Sequence, residues 1–270
     1  MLRELADRAI QRYSDPQMRL NAAREQLQLI VLAALHDAGA FRSIAFVGGT
    51  CLRIVHGLRR YSEDLDFSQI DDSEYDFQKI LERIAAKLKA VGIVHSIKAR
   101  SVKTVQSAQI RFPQIRRMIG EHPMADAKLT IKLEVDTRPP GGWMTEHHIR
   151  QTEFGLTALV AYDLPSLFAG KIHALCCRKY TKGRDWYDLV WYLTRQPPVE
   201  PNTDMLTKAL VQTEGNTAWD GREWRAHLQQ RIEPLDLPAV VADIAPFIER
   251  PEELDVFSIA GLLHLTTERT

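Results

Sequence analysis

The chain has 270 residues, of which 45% are hydrophobic, and this is enough apolar material to form a sizeable core without disulfides. Its 35 basic and 35 acidic residues balance, which excludes a strong overall field that would attract nucleic acid or an anionic membrane. The three cysteines form no CxxC motif or disulfide framework, and no apolar run reaches the roughly eighteen residues of a membrane helix. We therefore expect a cytoplasmic protein with no membrane span.

The first half of the chain shows mixed helix and strand patterns. Asp15 and Pro16 are typical of a helix start, and apolar residues then recur at helical spacing up to Gly39. The other predicted elements are a strand at 44–47, a short helix after Gly48-Gly49-Thr50, a strand at 63–68, a helix over 75–88, weaker strands near 93–98 and 105–112, and a strand at 129–136.

The second half is predicted to be helical. Helices are expected at about 165–179 and from near Asp185 to before Gln196, and further helical segments at 203–213, 222–232, 238–249 and 253–267. The proline-rich stretch before Pro201 is the best boundary in the sequence. It predicts a division into residues 1–195 and a helical region at 202–270.

Two aspartates in the run EDLDFS carry the first chemical signal. Side chains alternate across a strand, so Asp64 and Asp66 would share a face, with their Cα atoms roughly 6–7 Å apart. Two like charges this close favour a bound cation, and hard oxygen ligands suit Mg²⁺ or Mn²⁺. The alternative is an ordinary acidic face on a solvated edge strand.

Two further features accompany this pair. Asp136 ends the alternating strand LTIKLEVD and is the natural third carboxylate of a two-metal site, although a turn aspartate would look the same. Gly48, Gly49 and Thr50 stand between strand and helix, where backbone amides can approach a phosphate. A tight turn without a ligand is the alternative for these three residues.

The motifs taken together resemble a known family. The runs FVGGTCLRIVHGLRRYSEDLDFS, KLEVDTRPP and AGKIHALCCRKYTKGRDWYDLVWYL are similar to those of the AbiEii/MenT nucleotidyltransferase toxins of type IV toxin–antitoxin systems, within the DNA polymerase β-like superfamily. The resemblance covers roughly residues 20 to 195. It implies an α+β fold with a nucleotidyltransferase-type mixed sheet flanked by helices, followed by a helical C-terminal region.

The resemblance also implies roles for individual residues. Gly48, Gly49 and Thr50 would contact NTP phosphate, Asp64 and Asp66 would hold metal with Asp136, Lys171 would face the triphosphate, and Asp188 matches the aspartate of the last motif. Arg60 and Ser62 would shape the turn before Asp64. The residues themselves suggest that Asp185 and Asp188 hold a lysine or arginine, in a basic ridge from Arg178 to Arg184; a solvated basic face is the alternative.

The function implied is a metal-dependent transfer of NMP from an NTP to RNA, with the 3′ end of tRNA as the favoured acceptor, which would block translation. A cognate antitoxin is expected, without a stable complex being required. Basic patches at 59–60, 111–117 and 178–184 are candidates for meeting RNA. The alternatives are a protein or small-molecule acceptor, a non-catalytic module that binds nucleotide or a partner, and a phosphodiesterase.

Cys51 is expected to pack in the core, and His147 and His148 are expected to lie in a surface loop.

Overall fold

The structure is a computed structural model that describes residues 2–100, 104–120, 128–215, 218–255 and 257–267. The chain forms two compact units. The first unit comprises Met1–Arg138 and Glu146–Ala161, and the second comprises Pro139–Thr145 and Tyr162–Thr270. The predicted division into residues 1–195 and 202–270 stays a prediction.

Local sequence signals explain where the longest helix begins. Helix α1 spans Leu2–Arg12, and α2 spans Pro16–Asp37. Asp15 is the N-cap of α2, since its side chain accepts a hydrogen bond from the amide of Met18 at 2.8 Å, and Pro16 occupies the first turn. Helix α2 is buried over most of its surface and contacts α1. The predicted start of α2 is confirmed, whereas α1 was not predicted.

The described strands form one seven-stranded mixed sheet in the order β3-β4-β5-β2-β1-β7-β6. Their bounds are β1 Ile44–Val47, β2 Leu65–Gln69, β3 Ser96–Arg100, β4 Val105–Phe112, β5 Leu129–Asp136, β6 Thr145–Thr152 and β7 Gly155–Tyr162. In the first unit the remaining helices are α3 Gly48–His56, α4 Phe77–Ala90 and α5 Ile115–Met118. The predicted α+β class is therefore confirmed.

The alternation of burial on β5 fixes which side of the sheet faces the core. Leu129, Ile131, Leu133 and Val135 are buried, and the residues between them are half-exposed. On β2, Leu65 and Phe67 are buried, and Phe67 stacks on Phe46 of β1 with ring centroids 5.2 Å apart. The opposite face of these strands therefore presents the polar side chains.

The second unit is helical, as predicted for this part of the chain. Its helices are α6 Leu164–Cys177, α7 Gly183–Leu193, α8 Thr203–Glu214, α9 Trp224–Ile232, α10 Leu237–Ile244 and α11 Ile259–Thr266. Phe168, Tyr192 and Trp224 pack together in its core, with the rings of Phe168 and Tyr192 stacked at 4.2 Å. Helix α11 is shorter than the predicted segment 253–267, in which residue 256 lies outside the described residues. In the described ranges no helix is long and apolar enough to cross a membrane.

Strands β6 and β7 were not predicted. Strand β6 lies at the edge of the sheet, and most of its side chains are exposed or half-exposed. A strand in this position does not have to bury one face, and its sequence TEHHIRQT shows no alternation of apolar and polar residues. His147 and His148 lie on this strand, so their placement in a surface loop was wrong.

Candidate functional site

The DxD pair lies at the start of β2, in the middle of the sheet. Asp64 and Asp66 are half-buried, and buried Leu65 and Phe67 fix the other face of the strand. Strand β2 is antiparallel to β1, with Asp66 opposite Val47, and parallel to β5, with Asp66 opposite Glu134. The two aspartates therefore point to the polar side of a sheet whose neighbouring strands hold them in register.

The glycine turn, formed by Gly48, Gly49 and Thr50, packs against Asp66. Gly48 has a φ of +78°, a conformation that glycine adopts without strain, and a Cβ at this position would lie 2.5 Å from Oδ2 of Asp66. Gly48, Gly49 and Thr50 form the first turn of α3, where backbone N–H groups have no partner within the helix and the dipole favours an anion. The predicted phosphate-binding turn and the predicted metal carboxylates are thus neighbours.

The segment before Asp64 is held by several contacts. A Cβ on Gly49 would lie 2.6 Å from Nη2 of Arg60 and 3.1 Å from Oγ of Ser62. The hydroxyl of Thr50 donates to the carbonyl of Asp64, and Arg60, which is buried, donates to the carbonyl of Tyr61 at 2.9 Å. These contacts tie the glycine turn to the strand that carries the aspartates.

The same segment is also anchored to α2. The amide of Gln28, a buried residue, donates to the carbonyl of Ser62 at 3.2 Å and to that of Glu63 at 3.0 Å. A buried side-chain amide that satisfies two carbonyls fixes the loop and is costly to remove. The loop entering β2 is therefore rigidly positioned, and Gln28 is a contributor that local sequence patterns could not reveal.

The sheet register adds a carboxylate to the predicted set. Asp136 lies opposite Ser68 on β2, whereas Glu134 lies opposite Asp66. Asp136 accepts a hydrogen bond from the amide of Arg138 at 2.9 Å, which is typical of a turn. Glu134 is thus a further candidate ligand, and the metal role of Asp136 stays a prediction.

Lys132 lies among these carboxylates. Its ammonium is 2.8 Å from Oε2 of Glu134. The hydrogen bond that Lys132 donates to Glu134 raises the pKa of Lys132 against the opposing effect of burial, and the charges of Glu134, Asp64 and Asp66 add to the rise. The polar face at this point therefore carries a negative potential that stabilises a cation.

The carboxylates suit a divalent metal that completes its shell with other ligands. Within the described residues, no group of three or more His, Cys, Asp or Glu side chains is gathered closely enough to form a metal site by itself. Mg²⁺ commonly binds one or two carboxylates and takes its other oxygens from water and substrate phosphates. Asp64 and Asp66, with a phosphate-binding turn beside them, fit that mode of binding.

In the second unit, Lys171 on α6 is held by two aspartates of α7. Its ammonium lies 2.6 Å from Oδ1 of Asp185 and 2.7 Å from Oδ2 of Asp188, and Arg178 forms a second ion pair with Asp185. Asp188 is 0% exposed and Asp185 only 5%. The predicted holding of the lysine by Asp185 and Asp188 is observed, and the roles of Lys171 and Asp188 toward a nucleotide stay predictions.

Charge neutralisation within this cluster is strong. Burial alone would raise the pKa of Asp185, but the nearby Lys171 and Arg178 outweigh it and lower the pKa to about 2. A cavity of about 210 Å³ adjoins Asp185 and is lined in part by Arg178, Lys182 and Arg231. Burial lowers the pKa of Lys182, and the charge of Arg184 adds to this effect. The basic ridge is thus partly buried and partly engaged with carboxylates.

The cysteines behave as packing residues. Cys51 is buried in α3, and burial raises the pKa of its thiol far above the ordinary value. Burial also raises the pKa values of Cys176 and Cys177 to about 12. Because the thiolate is the reactive form, none of the three thiols is activated as a nucleophile, and the expectation that Cys51 packs in the core is confirmed.

Comparisons with known proteins identify the family and the fold of the chain. The model of the family described as nucleotidyl transferase AbiEii toxin, type IV TA system, matches residues 30–256. A crystal structure from H. pylori, described as a candidate nucleotidyltransferase, is similar with a TM-score of 0.52 and 18% identity, covering 90% of this chain and 91% of that chain. JHP933 from Helicobacter pylori is similar with a TM-score of 0.52 and 16% identity, covering 91% of this chain and 90% of that one. These two likenesses concern the fold, and no curated protein matches the chain.

Proposed function

Because the chain belongs to the AbiEii nucleotidyl transferase toxin family of type IV toxin–antitoxin systems, we propose that it transfers an NMP from an NTP to an RNA acceptor. The favoured acceptor is the 3′ end of tRNA, whose modification would block aminoacylation and translation. The observation that carries the proposal is the approach of Gly48 to Asp66, since it puts a turn suited to phosphate beside carboxylates suited to metal.

The candidate site residues of the first unit each have a specific role in this proposal. The amides of Gly48, Gly49 and Thr50 bind the β- and γ-phosphates, and the hydroxyl of Thr50, bonded to the Asp64 carbonyl, keeps the turn in place. Asp64 and Asp66 would hold Mg²⁺ or Mn²⁺, and Asp136 or Glu134 would supply a third carboxylate. The metal would supply charge neutralisation of the triphosphate and activation of the attacking hydroxyl. The acceptor hydroxyl gives up its proton to solvent as its oxygen attacks the α-phosphorus, the bond from the α-phosphorus to the bridging oxygen breaks, and pyrophosphate leaves.

Lys171 and Asp188 have their proposed tasks in the second unit. Lys171 would bind the triphosphate, as the family resemblance implies. Its ammonium is held by Asp185 and Asp188, so its rotamer is set before a ligand arrives. Asp188 would then be a positioning residue that acts through Lys171. An antitoxin protein is expected as a genetic partner, without a stable complex being required.

The acceptor separates this proposal from its rival. The same metal chemistry can modify a protein side chain or a small molecule, because function depends on the site and not on the fold. The polar face beside the DxD pair carries basic side chains on the neighbouring strands, which favours a polyanionic acceptor. RNA is therefore the acceptor that we propose.

A labelling experiment tests the proposal. Purified protein is incubated with Mg²⁺, total tRNA or cell extract, and each α-³²P-labelled NTP in turn, beside the variant Asp64→Ala/Asp66→Ala. We expect label in tRNA with the native protein and none with the variant. Label in protein would favour modification of a protein side chain over RNA. The absence of label from every fraction would favour a non-catalytic binding module.

A further inference from the structure

The polar face of the sheet carries a basic cavity in the first unit. It has a volume of about 340 Å³ and is lined by Lys98, Arg100, Ser107, Gln109, Arg111, Lys132 and Glu134. These residues come from strands β3, β4 and β5. Lys132 and Glu134 form an ion pair, and the other three cations, Lys98, Arg100 and Arg111, leave the part of the cavity on β3 and β4 positively charged, although the whole chain has no net charge.

The strand register connects this cavity to the proposed metal carboxylates. Arg100 pairs with Ser107, Ser107 with Glu134, and Glu134 with Asp66. Directly paired residues have their side chains on the same face of a sheet. Asp66 in turn pairs with Val47, the residue before the glycine turn. One continuous row thus runs from the glycine turn to β3.

A second row runs beside the first. Lys98 pairs with Gln109, and Gln109 pairs with Lys132. Arg111 lies one step further along β4 on the same face, and its guanidinium donates to Gln109. The cationic side chains are thus held at intervals across the sheet.

The charge of the cavity and the length of the row that joins it to Asp66 fit the phosphate backbone of a polynucleotide. Strands lie about 4.8 Å apart, so the row from Asp66 on β2 to Arg100 on β3 spans about 14 Å. At an axial rise of about 3.4 Å per nucleotide in a stacked helical strand, this distance corresponds to about four phosphates. Among the described residues that line the cavity none is aromatic, which favours contacts to phosphates over stacking with bases.

We propose that the face formed by Lys98, Arg100 and Arg111 binds the phosphate backbone of the acceptor strand and directs its 3′ end to Asp64 and Asp66. The proposal rests on the transfer to RNA proposed above and adds the surface that receives the RNA. Because the contacts are to phosphate, this surface contributes affinity without base preference.

The salt dependence of RNA binding tests this surface directly. The probe is a short mixed-sequence oligoribonucleotide with a 5′-fluorescein and a free 3′-OH, titrated by anisotropy over a series of NaCl concentrations. EDTA is present and NTP is absent, so binding is measured without turnover. For Lys98→Gln/Arg100→Gln/Arg111→Gln we expect affinity to fall about tenfold or more. We also expect the slope of log K against log[NaCl] to become shallower by about 2, since each single-strand phosphate contact contributes about 0.7.

A matched control removes the same charge from another part of the same unit. Lys79, Arg83 and Lys89 are exposed on α4, and Lys79→Gln/Arg83→Gln/Lys89→Gln should keep the native slope. Thermal unfolding checks that both variants fold. If the loss of half-buried Arg111 prevents folding, Lys98→Gln/Arg100→Gln changes two exposed residues and should still make the slope shallower by about 1.4.

The outcomes separate this proposal from the one on which it rests. We call Lys98→Gln/Arg100→Gln/Arg111→Gln the sheet-face variant. If its slope of log K against log[NaCl] equals that of the native protein, the proposed surface is overturned, even if label from NTP still reaches tRNA. A raised KM for NTP with unchanged RNA affinity would also overturn it, because the cations would then serve the triphosphate. A shallower slope that occurs only in the sheet-face variant supports the surface, even if label from NTP is found on protein and the acceptor proposed above is wrong.

Discussion

The two units each contain a pair of aspartates, and they treat these pairs in opposite ways. Asp64 and Asp66 lie on the half-exposed face of a strand, among carboxylates and beside a glycine turn. Asp185 and Asp188 lie on a buried helix face, where Lys171 bridges them and Arg178 binds one of them. The first pair is suited to a cation from solution, and the second is neutralised by cations of the chain itself.

This difference separates a pair proposed to bind metal from a pair that stabilises the fold and holds Lys171 in place. Like charges on one strand face destabilise the fold unless a cation joins them, which supports the metal role proposed for Asp64 and Asp66. Buried charges with complete partners stabilise their arrangement, and removal of one partner leaves an uncompensated charge. The two pairs should therefore respond differently to the same kind of substitution.

The largest expected effect is the loss of activity in Asp64→Asn/Asp66→Asn. Removal of both proposed metal ligands should reduce NMP transfer about a thousandfold or more, since a bound metal supplies several kcal/mol to the transition state. The free energy of unfolding should stay unchanged or rise, because two neighbouring negative charges are removed. Transfer assays and urea unfolding of the same sample measure both quantities.

The control for this prediction is Asp71→Asn/Asp72→Asn. These two exposed aspartates follow β2 and carry the same charge as the DxD pair. The control variant should retain native transfer, and an equal loss in both variants would argue against a specific role for Asp64 and Asp66.

The second effect is a loss of stability in Lys171→Met. Without the ammonium, the carboxylates of Asp188 and Asp185 lose a cation that they share at 0% and 5% exposure, and breaking a buried ion pair costs about 3–5 kcal/mol. Urea unfolding should report a loss of this size. Lys208→Met is the control, because its exposed pair with Asp204 contributes about 0.3–0.5 kcal/mol. Similar small losses in both variants would contradict a stabilising role for the buried cluster.

The third effect distinguishes backbone strain from a clash with the carboxylate. Gly48→Ala introduces a Cβ 2.5 Å from Oδ2 of Asp66 and requires a φ of +78° from alanine. Gly57→Ala imposes nearly the same strain, at a φ of +76°, but its Cβ would have nothing within 4 Å. Both variants should lose about 1–2 kcal/mol of stability. Only Gly48→Ala should also lose transfer activity, on the order of a hundredfold, because Asp66 must move.

These two variants therefore isolate the contact between the glycine turn and the aspartate. Measurements of NMP transfer and urea unfolding on both would show whether activity follows strain or the position of Asp66. Equal activity in Gly48→Ala and Gly57→Ala would mean that the close approach of Gly48 has no part in the reaction.

The sequence predicted the parts of the first unit that depend on local patterns. The N-cap at Asp15, the strand with buried Leu129 to Val135, and the turn from β1 into α3 all follow from residue type and spacing. The proximity of Gly48 to Asp66 depends on the pairing of β1 with β2. Local patterns do not predict this pairing, and only the family resemblance led us to expect the two motifs at one site.

What the sequence could not predict depends on register between distant strands. Glu134 is opposite Asp66, and Arg100 is in the same row, only because β2, β3, β4 and β5 pair as they do. A shift of one residue would reverse the face of every side chain on a strand, and no local pattern determines the partner. Strand β6 was missed for a related reason, since an exposed edge strand needs no apolar alternation.

The effect confined to the narrowest range of conditions is a pH dependence of the second unit. Asp185 has a folded pKa of about 2, below its ordinary value of 3.8, because Lys171 and Arg178 outweigh the cost of burial. A carboxylate with a lowered folded pKa stabilises the protein fully above its unfolded pKa and loses this contribution as the pH falls through the folded value. The contribution of Asp185 should therefore be complete above about pH 4 and should decline toward about pH 2.

Comparison of the native protein with Asp185→Asn isolates this contribution. The difference in unfolding free energy between the two should shrink by about 2 kcal/mol as the pH falls from about 4 to about 2, since one pKa unit corresponds to about 1.4 kcal/mol. Urea unfolding at a series of pH values measures the difference, and the titration of other carboxylates cancels between the two proteins. A difference that stays constant over this range would mean that Lys171 and Arg178 do not stabilise the charged form of Asp185, and the contrast between the two aspartate pairs would lose its electrostatic basis.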